Sequence, residues 1–428
     1  MTPNKLKTDD YFLSATNPLA TADQKDLEER AIAWLDTPQY DRLRAAAARR
    51  WRELAGSSPT AEAWSRFESL IDECAFAAIL KALNGDPARP KVLRVVMPPH
   101  DWFGMSVPGS RFAGGPGSDQ SYAIIPVDFG TRYRIKGQWI GEPPADHNYT
   151  LSPNAYFMNS IATYHHNDLV VEQDGSFTLT VGPEKGGKNH IQTMPGAEFL
   201  FIRDCRSDWR QAATALTVEA LDPPRTAPWD EEQLFTRALQ IALDDAPSMY
   251  YWVRLYQNME ANTLIPPALT DNVGGLVAQT TSFARIVLED DEAFVIRTDP
   301  AGAKLHDLQL NDYWFYSVGD YYGRTASFNN QQTALEPDGT ATYVVSLKDP
   351  GVHNWLDPNG LHETLFVARW QRLPTTAQER KPSISGKIVK MADLDKVLPS
   401  EVVRVTPQQR REQLEDRLAT YQLRLIDS

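Results

Sequence analysis

The sequence predicts a mainly β protein with helical additions: two tandem jelly-roll-like antiparallel β-sandwiches, an N-terminal helical lead-in and a C-terminal helix. Three observations carry that prediction. One β-rich pattern occurs twice with its motifs in the same order; its strands follow one another without the helices of βαβ units; and helical periodicity is confined to the start, the middle and the end of the chain. The resulting boundaries are a lead-in over 1–90, a first sandwich over 91–225, connecting helices over 226–265, a second sandwich over 266–375, and a tail with a helix over 376–428.

In the lead-in, Thr21 and Gln24 have capping-box spacing, while Pro38 and Pro59 follow Thr37 and Ser58 at expected first helical positions, where a missing N–H costs nothing. Trp64, Phe67, Ile71, Cys74 and Ala78 recur at helical spacing, and Asn84-Gly85 offers a left-handed stop. Strand patterns begin at Val92–Val96 and Tyr122–Ile125, separated by a Gly/Pro/Ser loop over 108–118. Residues 132–136 then alternate, with Tyr133 and Ile135 on one face and Arg132, Arg134 and Lys136 on the other. Helix returns from a cap at Asp230, and Pro247 is expected to divide that stretch in two. Strands resume near Phe294–Ile296 and run to Trp370. The last helix starts at Thr406-Pro407, with Gln409 completing a capping box. Its Leu414, Leu418, Tyr421 and Leu425 form a face for docking on the chain itself or on another subunit.

The repeat itself runs from Asp174-Gly175 through Asn189 to Arg203, and again from Asp338-Gly339 through Asn354 to Arg369. Asp-Gly supplies the positive φ of a tight hairpin, and alternation at Leu200/Ile202 and Leu365/Val367 buries one face of each strand. A fainter echo pairs Ala123, Asp128, Gly130 and Tyr133 with Ala293, Asp299, Gly302 and Tyr313.

Composition narrows the function classes. A net charge of −13 over 428 residues leaves no Lys/Arg stripe for a phosphate backbone, so nucleic acid is not an expected partner. The two cysteines, Cys74 and Cys205, read as separate free thiols, and no Cys/His spacing suits a zinc cage. No run of apolar residues is long enough for a membrane span and no secretory signal is seen, so a cytoplasmic protein is expected. The Gly-x-Ser-x-Gly elbow, the His-Glu-x-x-His pair and the phosphate-binding loop are all missing, and the Gly-rich loop at 114–117 lacks the lysine and helix that a phosphate cradle needs.

Residues 349–357, with Asp349-Pro350-Gly351 and Asn354-Trp355, followed by Gly360 and Ala368-Arg369-Trp370, resemble the C-terminal motif of a bacterial family catalogued as domain of unknown function 1214. Asp338-Gly339 and the aromatic run 313–316 fit the same pattern, and residues 120–210 are similar to its partner, domain of unknown function 1254, in the first position. The resemblance implies tandem jelly rolls and brings no activity with it.

Titratable residues are densest at Tyr164, His165, His166 and Asp168. In a strand His165 and His166 face opposite ways, while His166 and Asp168 share a face and, with His190, could transfer protons or hold a divalent metal; the sequence requires no cofactor. The same histidines also fit an ordinary hydrogen-bonded turn. His190 has Trp355 as its counterpart in the second copy. Asn189 and Asn354, with Arg203 and Arg369, recur in both copies, which favours scaffold over site. Arg132 and Arg134 suit either an anionic ligand or a solvated strand face. Trp314 and Tyr316, with Tyr321 and Tyr322 nearby, suit either ring stacking or core; together with Arg132, Arg134, Tyr164, Asn189 and Trp355 they are the candidate substrate-binding residues. The leading expectation is an enzyme using His165, His166, Asp168 and His190 on a small organic substrate, as a lyase, isomerase or hydrolase. The alternatives are a carbohydrate- or apolar-ligand-binding module, and an assembly protein that forms homo-oligomers through its last helix.

Overall fold

Proline and hydroxyl caps place the helices of the lead-in: α1 (Ala22–Ile32), α2 (Pro38–Ala55), α3 (Ala61–Ser65) and α4 (Phe67–Leu83). The computed structural model describes residues 6, 8–111, 115, 117–154, 160–270, 279–320, 322–374 and 381–427; Gly114, Pro116 and Tyr321 lie outside them. Thr21 accepts from the Gln24 N–H, but the Gln24 side chain does not reciprocate. It instead brackets the Arg94 backbone and donates to Glu28, because that burial leaves other groups to satisfy. Pro59 falls before α3, whose cap is Thr60, so Pro59 is not a first helical residue. Asn84 and Gly85 have negative φ or ordinary backbone, so the expected left-handed stop is not formed there.

The middle helix α5 (Glu231–Gln257) starts on a full capping box of Asp230 and Gln233. It continues through Pro247, contrary to the expected division. Contacts on either side of the proline explain this. Asp245 forms a buried ion pair with Lys81 at 2.8 Å, and Tyr250 packs edge-on against Trp51, so both halves are held on the lead-in in one direction.

The first sandwich is built from β1 (Leu93–Val95), a hairpin of β2 (His100–Trp102) and β3 (Met105–Val107), then β4 (Gln120–Pro126), β5 (Tyr133–Gln138), β6 (Asp146–Ser152), β7 (Ala162–His165), β8 (Ser176–Gly182), β9 (His190–Gln192), β10 (Phe199–Cys205) and β11 (Ala215–Ala220). The second uses β12 (Ala268–Leu269), β13 (Gln279–Val287), β14 (Glu292–Asp299), β15 (Leu305–Asn311), β16 (Ser327–Asn329), β17 (Ala341–Ser346), β18 (Trp355–Leu356), β19 (Glu363–Gln371) and β20 (Ser383–Lys390). Sheet orders are β1-β4-β10-β6-β7 over β11-β5-β8-β9, and β12-β13-β19-β15-β16 over β18-β17-β14-β20. Replacing each strand by its counterpart converts one pair of sheets into the other, including the parallel pairs β8–β9 and β17–β18. The two tandem antiparallel sandwiches are therefore one topology used twice.

Local chemistry repeats with the topology. Asp174 and Asp338 each accept from the backbone N–H two residues on, and Gly175 and Gly339 take φ of 83° and 80° in the two hairpin turns. Asn189 clamps Val170 through its N–H (2.8 Å) and C=O (2.7 Å); Asn354 clamps Ala334 in the same way (2.9 and 2.8 Å). The fainter echo upstream is corrected by the strand registers. Ile202 pairs with Ala123 where Ala368 pairs with Ser282, and Val181 pairs with Tyr133 where Val345 pairs with Phe294. Tyr133 thus answers to Phe294, not Tyr313, and Ala123 to Ser282, not Ala293. The run 313–316 is not a strand but a turn capped by Asp312, with Phe315 at φ 58°.

The interior of the second sandwich is continuous with the apolar face of α2, α4 and α5, whereas the first sandwich keeps a separate core around Ala123, Ile125, Leu151, Leu179 and Ile202. Two further short elements close the chain, α6 (Leu394–Val397) and α7 (Pro407–Gln422). Of the two expected uses of the last helix, docking on its own chain is realised: Tyr421 and Leu425 enter the core, Leu414 and Leu418 are only half-buried, and arginines add polar ties. Arg410 pairs with Asp349 at 2.9 Å, Arg417 donates to the Arg324 carbonyl and to Gln332, and beyond the helix Arg424 donates to the Ser118 carbonyl. Among the described residues no helix is long and apolar enough to cross a membrane. Truncating the second-copy clamp with Asn354→Ala is expected to lower stability by about 2–3 kcal/mol, since it strands the Ala334 amide and carbonyl. Urea unfolding measures this, and an unchanged midpoint would contradict the clamp.

Candidate functional site

Strand alternation divides each five-stranded sheet into two faces. On β10, Leu200 and Ile202 enter the first core, so Arg203 and Cys205 face the other way; on β19, Phe366, Ala368 and Trp370 enter the second core, so Arg369 and Gln371 face outward. These two outward faces lie against each other. Ser118 donates to Gln309 at 3.1 Å and to Ser327 at 2.8 Å, Asn329 donates to Asp119 at 2.5 Å, and Arg372 reaches across to the Ala145 carbonyl at 3.0 Å. Gly115 fits between them, donating its N–H to Phe315 and accepting from Arg369 at 2.8 Å. A Cβ at this position would lie 2.4 Å from the Phe315 ring.

The layer so enclosed is polar. From the second sandwich, Thr281, Arg369 and Asp307 form one row across β13, β19 and β15. From the first, Tyr122, Arg203, Asn148 and His165 form a row across β4, β10, β6 and β7, with Asp146 and Cys205 paired in the next row. Arg369 donates to Asp307 Oδ2 at 2.8 Å, with both side chains buried. Burial lifts the Asp307 carboxyl to about 6, against the pull of Arg369, and the nearby Asp119 adds to the rise. Asn148 stands where the second copy has Asp307; Arg203 donates to Thr150 at 3.3 Å, and burial brings it down to about 10. His165 accepts at Nδ1 from the Asn167 N–H at 3.4 Å, which puts its proton on Nε2, 3.5 Å from Asp146 Oδ1.

Five buried polar atoms of this layer have no hydrogen-bond partner among the described residues: Asn148 Oδ1, His165 Nε2, Thr281 Oγ1, Asp307 Oδ1 and Gln371 Oε1. Buried polar groups are ordinarily paired, and a cluster of open ones marks a place where another molecule or ordered water belongs.

The residues singled out from sequence are dispersed by the fold. His165 alone of the four acid–base candidates enters the layer. His166 turns away, stacks on Trp139 at 5.2 Å and accepts from Arg372 at 3.1 Å; burial and that guanidinium lower it to about 4. Asp168 is exposed, and only its backbone carbonyl is used, by the Tyr164 hydroxyl. His190 sits on the four-stranded sheet, tied to Thr180 Oγ1 and to the Glu184 carbonyl, each at 2.7 Å. The expected grouping of His166, Asp168 and His190 is thus not formed. Among the described residues no three His, Cys, Asp or Glu side chains converge as metal ligands.

The substrate-binding candidates are corrected likewise. Arg132 and Arg134 point to solvent and pair with Asp222 and Glu219 on the neighbouring edge, at 2.6 and 2.8 Å. Tyr164 and Asn189 brace a loop. Trp314 is core, packed on Trp51 and Trp64 with its N–H on the Ala63 carbonyl, and Tyr316 is buried beneath Arg111. Trp355 is half-buried at the far end of the second sandwich, against Arg410. Cys74 and Cys205 are both free and buried, as expected.

Sequence reasoning missed Asp146, Asn148, Thr281, Asp307 and Gln371. The available signal was His147 on β6 matched by His306 on β15, which sets Asn148 against Asp307. These histidines point into the sandwiches. His147 lies 3.4 Å from Asp204 and 3.0 Å from the Tyr149 hydroxyl, whereas His306 stacks on Trp370 at 4.6 Å.

No family model matches the sequence, and no curated protein does either. Among solved structures, an uncharacterised protein from Burkholderia cenocepacia is similar over 85% of this chain and 100% of its own, with a TM-score of 0.69 and 23% identity. That likeness supports the β-rich fold and nothing further. A protein from Vibrio parahaemolyticus aligns over 79% of this chain and 100% of its own, with a TM-score of 0.40 and 11% identity, too low to bear on any argument.

Proposed function

We propose that this protein is a cytosolic enzyme that binds a small polar organic molecule between its two sandwiches and acts on it by acid–base chemistry. The reading rests on one observation, the five unpartnered polar atoms gathered on the facing sheets around Arg203 and Arg369. Two groups there suit proton transfer. His165 has its Nε2 proton open and Asp146 beside it, and Asp307, pushed up to about 6 by burial, keeps one oxygen free. The two arginines, fixed in charge, are placed to steady negative charge that develops in the substrate. Elimination, isomerisation and hydrolysis all need a base on one atom and an acid on another, and this pairing serves each of them. The resemblance to domain of unknown function 1214, with its 1254-like partner, belongs to the same proposal and adds no reaction to it.

His165→Ala should keep the circular dichroism and melting temperature of the parent while lowering turnover by about 10²–10⁴-fold, with small organic acids, esters and sugars screened by NMR. Retained binding with no turnover in the parent protein would instead favour a non-catalytic binding module. A second expectation concerns pH. Below about 6 Asp307 is protonated, and above it the carboxylate is available as a base, so the rate should change through an inflection near pH 6. Asp307→Asn should abolish that inflection. An inflection that survives the substitution belongs to another group and would remove Asp307 from the chemistry.

A further inference from the structure

The same layer narrows the kind of molecule it takes, an inference that rests on the reading above. Of the five open atoms, three are acceptors: Asn148 Oδ1, Asp307 Oδ1 and Gln371 Oε1. Gln371 spends its amide N–H on Gln279 at 2.9 Å and Asp307 spends its other oxygen on Arg369, so the open atom in each is an oxygen seeking a proton. Thr281 Oγ1 can donate or accept, and His165 Nε2 donates, since its Nδ1 is occupied by the Asn167 N–H.

Charge excludes two of the three classes of ligand. A cation would satisfy the oxygens but would lie between the buried guanidiniums of Arg203 and Arg369, which are near enough to influence each other electrostatically. An anion would suit the arginines but would bring lone pairs against three oxygens that already lack protons, with Asp146 and Asp307 beside them. A hydroxyl group does neither, because it offers a proton to an oxygen and a lone pair to the His165 N–H. Thr281 and Asp307 flank Arg369 on the strands to either side of it, two strand spacings or roughly 10 Å apart, a span that hydroxyls several carbons apart on one chain cover. We propose that the layer binds a neutral, polyhydroxylated molecule of the sugar or polyol class, held by Asn148, Thr281, Asp307 and Gln371 with a hydroxyl directed at His165.

Three probes with one carbon skeleton and different charge test this: sorbitol, gluconate and glucamine, titrated against the full chain by ligand-observed NMR. The expected result is sorbitol binding at least about tenfold tighter than either charged probe, and weakened by about tenfold in Thr281→Val, which keeps the side-chain shape and removes the hydroxyl. Gluconate or glucamine binding more tightly, with the same sensitivity to Thr281→Val, would overturn the class and leave the site standing. Absence of binding by all three would overturn the class as well. Sorbitol binding that ignores both Thr281→Val and Asn148→Ser would put the ligand elsewhere and overturn the class and the site together.

Discussion

Everything in this molecule is arranged around a problem of burial: two β-sheets meet through faces that carry charge. An ion taken out of water costs several kcal/mol unless it is paired and hydrogen-bonded. The Arg369–Asp307 pair meets that requirement in the second copy, and Gly115 offers its carbonyl to the same guanidinium. Around this pair the contact is polar from Ser118 and Asp119 on one side to Ser327 and Asn329 on the other, while Phe199, Phe201, Leu365 and Val367 make the same two faces apolar further along their strands. An apolar contact would have held the sandwiches together more simply.

Duplication separates what is scaffold from what is particular to each copy. The hairpin turns at Gly175 and Gly339 and the clamps at Asn189 and Asn354 are the same in both copies, so they belong to the scaffold. Around the shared Arg203 and Arg369 the copies differ. Asp307 became, or came from, Asn148, and the interior Asp204 beside His147 is replaced by Trp370 beside His306. Two copies of one face, no longer identical, give an asymmetric environment that neither sandwich has alone.

Much of the fold was legible in the sequence, and much of the site was not. Tandem sandwiches followed from the repeated Asp-Gly, Asn and Arg positions, because turn and clamp residues are fixed by local geometry over a short span. The upstream echo misled because strands β4 to β6 and β13 to β15 differ in their connecting loops, and only backbone pairing restores the register. His165 was found for its neighbours rather than for its role. The expected grouping of His166, Asp168 and His190 fails because the strand ends at His165 and residues 166–168 form a 3-10 turn, where alternation no longer puts His166 and Asp168 on one face, and His190 belongs to the other sheet. Asp307 and Thr281 were invisible for the opposite reason. Ordinary in composition, they acquire meaning only when three strands bring them beside Arg369. The aromatic run 313–316 lies in the stretch expected to hold strands, but Asp312 caps it as a turn whose Trp314 ring packs against α2 and α3.

The most direct measurement is an experimental electron-density map of the space between the two five-stranded sheets. A bound molecule, or well-ordered solvent contacting Asn148, Thr281, Asp307 and Gln371 with nothing else filling the gap, is the predicted result. Sheets closed directly on each other, with those four side chains hydrogen-bonded among themselves, would contradict the account.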